Sequence, residues 1–96
     1  MMKLSIIIPV YNSSKILEKL ITEINSNLSE KFENDYEIIL VNDSSKDNSW
    51  VIIKKISKVF NFVKGINLND NIGQHGAIFV GLKYSIGKRI IIMDDD

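Results

Sequence analysis

Ninety-six residues suffice for one small domain, which buries about 65% of its unfolded surface. Hydrophobic residues make up 45% and charged residues 25%, the balance of a globular chain and not of a disordered one. Twelve basic side chains cancel twelve acidic ones with no Lys/Arg run, which argues against a nucleic-acid partner; the absence of cysteine excludes disulfides and thiolate sites and fits a reducing cytoplasm.

The chain opens with Met1-Met2-Lys3-Leu4 and passes straight into a strand-like run, without the apolar region and cleavage site of a signal peptide, so it reads as a native start. The first apolar run, 4–8, is followed by Ile16, Leu17, Leu20, Ile21, Ile24 and Leu28 at helical spacing, with Ser13 or Ser14 placed to cap that helix. A polar connection over 29–35 leads into a second run, 36–41. A second helix is predicted after Asp47, a good N-cap, with Ile52, Ile53, Ile56, Val59 and Phe60 inward and Trp50 packed near its start. The third run is 62–68 and the third helix 74–86, in which Gly76 and Gly81 point to close packing or a close backbone approach, and Gly87 is the expected stop. The fourth run is 89–93. It and the first are almost wholly apolar, the pattern of central strands covered on both faces. No apolar run approaches the roughly 20 residues of a membrane-spanning helix.

Strands alternating with helices build successive βαβ units and hence a parallel α/β sheet. In such a sheet ligands bind beyond the carboxyl ends of the strands. Those ends here are Pro9-Val10-Tyr11-Asn12, then 42–47 with Asp43 and Asp47, then 69–75 with Asn71, Gly73 and His75, and last Asp94-Asp95-Asp96. All are polar and turn-forming. The first turn lacks the Gly-x-Gly-x-x-Gly of a dinucleotide site. Three adjacent acids without a base favour a cation or full solvation. Asp47 reads as a turn and cap residue, and the lone His75 as a structural or surface group, not a base.

The ordered segments IIIPVYN, EIILVNDSSKDNS, NDNIGQHGAIFVGL and IIIMDDD resemble those of family 2 glycosyltransferases, over the whole chain. The NxGQHxA segment is most similar to the subgroup that glycosylates polyprenyl phosphates. The resemblance implies a Rossmann-like GT-A N-terminal half, with a parallel sheet in the order 3-2-1-4 and three helices in three α/β/α layers, as one domain over 1–96. It implies a UDP- or GDP-sugar donor, with Pro9, Tyr11, Asn12, Asp43, Asn71, Gly73 and Asp94 on the nucleotide, and Tyr11 and Asp43 as the wall and the carboxylate that hold the base. Asp94 and Asp96 match the Asp-x-Asp pair, which holds Mg²⁺ or Mn²⁺ against the diphosphate. Inversion at the anomeric carbon and a place in cell-envelope polysaccharide synthesis at the cytoplasmic face follow from the same resemblance.

Two segments depart from the family. Ser13 stands where an acid is frequent, and Asn42-Asp43-Ser44-Ser45 stands where the family often reads Asp-Asp-Gly-Ser, so the turn at Ser44, in place of glycine, either does not need positive φ or tolerates strain. The acceptor half, any catalytic base and any membrane helices would lie beyond Asp96, so residues 1–96 are expected not to transfer sugar alone. The fourth strand would lack its outer neighbour, and self-association through that edge is expected. The alternative is a non-catalytic α/β module of flavodoxin or receiver type, in which the loop acids bind only a metal or a partner.

Overall fold

The computed structural model describes residues 2–33 and 35–95. Four strands, β1 (Leu4–Val10), β2 (Tyr36–Asn42), β3 (Val63–Asn67) and β4 (Arg89–Ile92), alternate with α1 (Leu17–Leu28), α2 (Ser49–Val59) and α3 (Gly73–Tyr84). All neighbouring strands pair in parallel, in the order β3-β2-β1-β4. The expected order and the three helices are therefore found. Leu4 pairs with Tyr36 on one side and Arg89 on the other, which sets the register of the sheet.

Alternation along each strand sorts the apolar side chains onto two faces. Leu4, Ile6, Ile8 and Val10 of β1 join Tyr36, Ile38 and Leu40 of β2 against Leu17, Ile21 and Ile24 of α1 and Ile53 and Ile56 of α2. Ile39 and Val41 face the other way, onto Ala77 of α3. Two helices thus cover one face and one helix the other. Trp50 packs at the edge of the larger core, where its ring stands 3.1 Å from the place a Cβ on Gly65 would occupy.

The apolar run of β4 does not make it a central strand. Its four residues are all exposed, whereas β2, which carries Glu37 within its run, is buried along its whole length and is central with β1. A run of isoleucines reports apolarity but not how many neighbours a strand has. Val59, expected inward, is 69% exposed and sits on the open side of α2.

The helix ends differ from expectation for non-local reasons. Neither Ser13 nor Ser14 caps α1, which begins after Ile16 with no side-chain cap. Ser13 is occupied elsewhere, its N–H donating to Ser49 Oγ at 2.9 Å and its hydroxyl turned to Asp95. The third helix ends at Tyr84, before Gly87. Gly87 instead allows a close crossing. A Cβ there would stand 2.6 Å from Leu4 C and Ser5 N, so only glycine lets the chain pass against β1 on its way into β4. Gly81 serves close packing, because a Cβ would stand 2.6 Å from Ile7 Cγ2.

Glu37 is fully buried at the amino end of β2. Its Oε2 accepts from Ser5 Oγ at 2.6 Å and from Ile86 N at 2.8 Å, and Lys64 Nζ lies 2.6 Å from Oε1. The lysine contact satisfies Oε1 as an ion pair without the geometry of a directed hydrogen bond. Burial alone would raise this carboxyl, but Lys64, Ser5 and Ile86 together hold it below its ordinary value.

Candidate functional site

The carboxyl ends of β1, β2 and β4 and the start of α3 enclose a cavity of about 550 Å³, a size suited to a small ligand. Pro9, Val10 and Tyr11 line it from β1, Asp43 from β2, Asn71, Gly73 and Gln74 from the loop and first turn of α3, and Asp94 and Asp95 from the segment after β4. Of the residues singled out from sequence, Pro9, Tyr11, Asp43, Asn71, Gly73 and Asp94 thus converge on one cleft. Asp96 lies outside the described residues.

Asp43 is the centre of this arrangement. It is 4% exposed, and its own N–H donates to Val10 O at 2.9 Å, tying the first loop to the second. Its Oδ1 accepts from Ile72 N at 2.7 Å and its Oδ2 from Gly73 N at 2.9 Å. The carboxylate therefore satisfies two orphan donors at the start of α3, where the helix dipole favours negative charge. Each oxygen keeps a second lone pair that can accept from a ligand. Two of the N–H groups at the amino end of α3 thus face Asp43, because its carboxylate reaches them from the end of β2.

Gly73 has φ +86, and Asn12 and Ser44 also adopt left-handed backbone at φ 53 and φ 56. Of the two alternatives for Ser44, strain is the one realised: the turn has positive φ and the serine bears it. Asn12 stands apart from the main cleft, in a neighbouring hollow with Ser13, Lys15 and Asp47. Its Oδ1 accepts from Lys46 N at 2.8 Å and its N–H donates to Ser45 Oγ at 3.0 Å, which braces the first loop against the second.

Asp47 shapes the turn into α2 and receives the first N–H of that helix from one residue before the N-cap, which falls on Asn48 and makes no side-chain cap bond. Its Oδ1 accepts from Ser49 N at 2.9 Å and Ser49 Oγ at 2.6 Å, and its Oδ2 from Ser14 N at 3.2 Å. Burial opposes its charge, yet these donors outweigh it and hold the carboxyl at about 2. His75 is exposed and does not line the cleft.

Two lining residues carry contacts that no sequence signal announces. Gln74 Nε2 donates to Asp94 Oδ1 at 2.9 Å, and the Ser13 hydroxyl donates to Asp95. The adjacent acids are thus turned to opposite partners. Among the described residues the ion pairs are Lys55–Glu18 and Lys64–Glu37, so no basic side chain neutralises Asp94 or Asp95. No group of three or more metal-ligating side chains is present among the described residues. The available donors are carboxylate oxygens, the kind that hard dications prefer.

The model of the family described as "Glycosyl transferase family 2" matches residues 5–96. The chain belongs to this family. It is 39% identical over 95 residues to the undecaprenyl-phosphate 4-deoxy-4-formamido-L-arabinose transferase of Proteus mirabilis, covering 98% of this chain and 29% of that protein. It thus spans less than a third of the length of that curated relative. Among solved structures, S. aureus TarS 1–349 in complex with UDP-GlcNAc superposes with a TM-score of 0.84 at 31% identity, covering 99% of this chain and 27% of that one. The mannosyltransferase PcManGT from Pyrobaculum calidifontis, in complex with GDP-Man and Mn2+, superposes with a TM-score of 0.86 at 18% identity, over 98% of this chain and 27% of that one. This last likeness speaks for the fold alone. The fold is that of GT-A glycosyltransferases, which answers the flavodoxin or receiver alternative. No helix among the described residues is long and apolar enough to cross a membrane.

Proposed function

We propose that residues 1–96 are one domain, the nucleotide-sugar-binding part of an inverting glycosyltransferase that uses a UDP- or GDP-sugar and a polyprenyl phosphate or glycan acceptor. The observation that carries this reading is the single cleft in which Tyr11, Asp43 and Asp94 meet. The Tyr11 ring, 44% exposed beside Pro9, offers a flat apolar wall for a base. The second lone pairs of Asp43 accept from the donor edge of that base, as the uracil imide or the guanine N–H groups present it. Asn71 lines the cleft with its Nδ2 on Asp43 O at 3.3 Å, and Gly73 lets the backbone turn there without a side chain. Asn12 acts through the loops it braces.

Asp94, held by Gln74, takes the ribose hydroxyls, and with Asp96 it supplies carboxylate oxygens for Mg²⁺ or Mn²⁺. The unneutralised acids and the all-oxygen donor set fit such an ion. When bound, it supplies Lewis-acid stabilisation to the leaving nucleoside diphosphate. A polyprenyl phosphate is already anionic and attacks without a base, whereas a sugar hydroxyl requires one. The 39% identity to a transferase named for undecaprenyl phosphate favours the former acceptor, and with it a place at the cytoplasmic face in cell-envelope synthesis. Residues 1–96 span 29% of that relative, so binding without transfer is expected of them alone. Self-association through the open β4 edge is part of the same proposal.

Calorimetric titration with UDP, GDP and their sugars, each with and without Mn²⁺, tests this. Heat from one nucleotide, strengthened by Mn²⁺, is expected. No heat from any nucleotide removes the reading.

A further inference from the structure

We propose that Ser13 is a positioning residue: through Asp95 it fastens the acid segment after β4 to the loop carrying Tyr11, so that the wall for the base and the acids for the ion are set as one unit. The inference rests on the nucleotide reading above and deepens it, by giving a role to a residue outside the cleft. Three observations carry it.

The first is how firmly Ser13 itself is held. It is buried, its N–H donates to Ser49 Oγ at 2.9 Å, and its carbonyl accepts from Ile16 N at 3.1 Å. Ser49 is fully buried in turn, and its hydroxyl donates to Asp47 Oδ1 at 2.6 Å. The backbone of Ser13 is thus anchored to the starts of α1 and α2, and its hydroxyl is what can still turn.

The second is where that hydroxyl points. Two acceptors lie within its reach, Tyr11 O at 3.1 Å and a carboxylate oxygen of Asp95. A hydroxyl has one proton to give. A charged acceptor makes the stronger bond, so the proton goes to Asp95 and Tyr11 O stands as the second acceptor. An acid at position 13, frequent in the family, would face Asp95 with like charge, whereas the serine supplies a donor.

The third is the division of the lining. Tyr11 and Asp95 border both the main cleft and the neighbouring hollow, while Ser13 borders the hollow and not the cleft. Ser13 therefore meets the partition between the two from behind. Asp94, which does face the cleft, adjoins Asp95 in the chain and is held from the other side by Gln74. Fixing Asp95 thus fixes the backbone from which Asp94 projects.

The test is calorimetric titration of the 96-residue chain and its variants with UDP and with GDP, in the presence of Mn²⁺. Ser13→Ala and Asp95→Ala are each expected to weaken binding of the nucleotide that the parent chain takes by about tenfold, and the double variant to weaken it no further, as the two ends of one link do. Ser13→Thr keeps the hydroxyl and is expected to bind nearly as the parent does. Circular dichroism and urea unfolding check the fold. Asp95→Ala leaves the Ser13 proton to Tyr11 O and is expected to unfold as the parent does, so its loss of affinity is not a loss of folded chain. Single variants that bind as the parent does, losses that add in the double variant, or a threonine variant as weak as the alanine one overturn the inference while the nucleotide reading stands. No heat from the parent chain removes that reading and this inference with it.

Discussion

Oδ2 of Asp43, at the end of β2, accepts the N–H of Gly73 at the start of α3 at 2.9 Å. With the bond from Ile72 to Oδ1, one buried carboxylate both seats a helix and faces the cleft. Asp43→Asn keeps one acceptor and turns an amide toward a backbone N–H, at a cost of about 1–3 kcal/mol. Urea unfolding should show that loss without any ligand. Nucleotide affinity should fall further than the stability loss explains, and equal affinity in the variant would remove Asp43 from base recognition.

Ser44 sits at φ 56 with only a long hydroxyl contact, 3.4 Å to Asn69 O. Glycine at this position relieves about 1 kcal/mol of left-handed strain. Ser44→Gly should therefore raise the melting temperature by about 4–8 °C. No change in a thermal scan would mean that the turn relaxes without cost.

The carboxyl of Asp47 is held at about 2, below its ordinary 3.8, so its contribution to stability is complete above the unfolded value and lost as pH falls through the folded one. Asp47→Ala should cost about 1 kcal/mol at neutral pH, as the loss of a side-chain acceptor at a helix start does. The gap between variant and parent should close between about pH 4 and pH 2. A gap that persists at the acid end would show that charge is not what the donors read.

Glu37 follows the same sign. Its carboxyl is lowered in the fold, so its stabilisation is present above the unfolded value and disappears as acid protonates it. Glu37→Gln should cost about 2 kcal/mol at neutral pH, because the charged hydrogen bonds from Ser5 and Ile86 and the ion pair with Lys64 weaken together. Half of Lys64 already reaches solvent, which keeps the cost below that of breaking a fully buried pair. Chemical denaturation at neutral and acid pH reads both values.

Much of this molecule is legible in the sequence where the signal is local or periodic. The βαβ rhythm yields four strands and three helices, and the rule that ligands gather at carboxyl strand ends brings Pro9, Tyr11, Asp43 and Asp94 to one cleft. Contacts that close over long sequence separations are not legible. Nothing near Asp43 announces that it will accept from residues 29 and 30 positions away, and nothing near Ser13 announces Asp95 at 82. Gly87 looks like a helix stop because the backbone it crosses belongs to β1.

That crossing has a consequence for the acids at the far end of β4. Gly87 N donates to Ser5 Oγ at 2.8 Å and Ile86 N to Glu37 Oε2, so the start of this short strand is pinned at a fixed height along β1. Only four residues pair before the chain reaches the cleft. A slip of one residue would turn every side chain of β4 to the opposite face, Asp94 included. The polar clamp at the amino ends thus acts as the alignment stop for a carboxylate at the other end of the sheet.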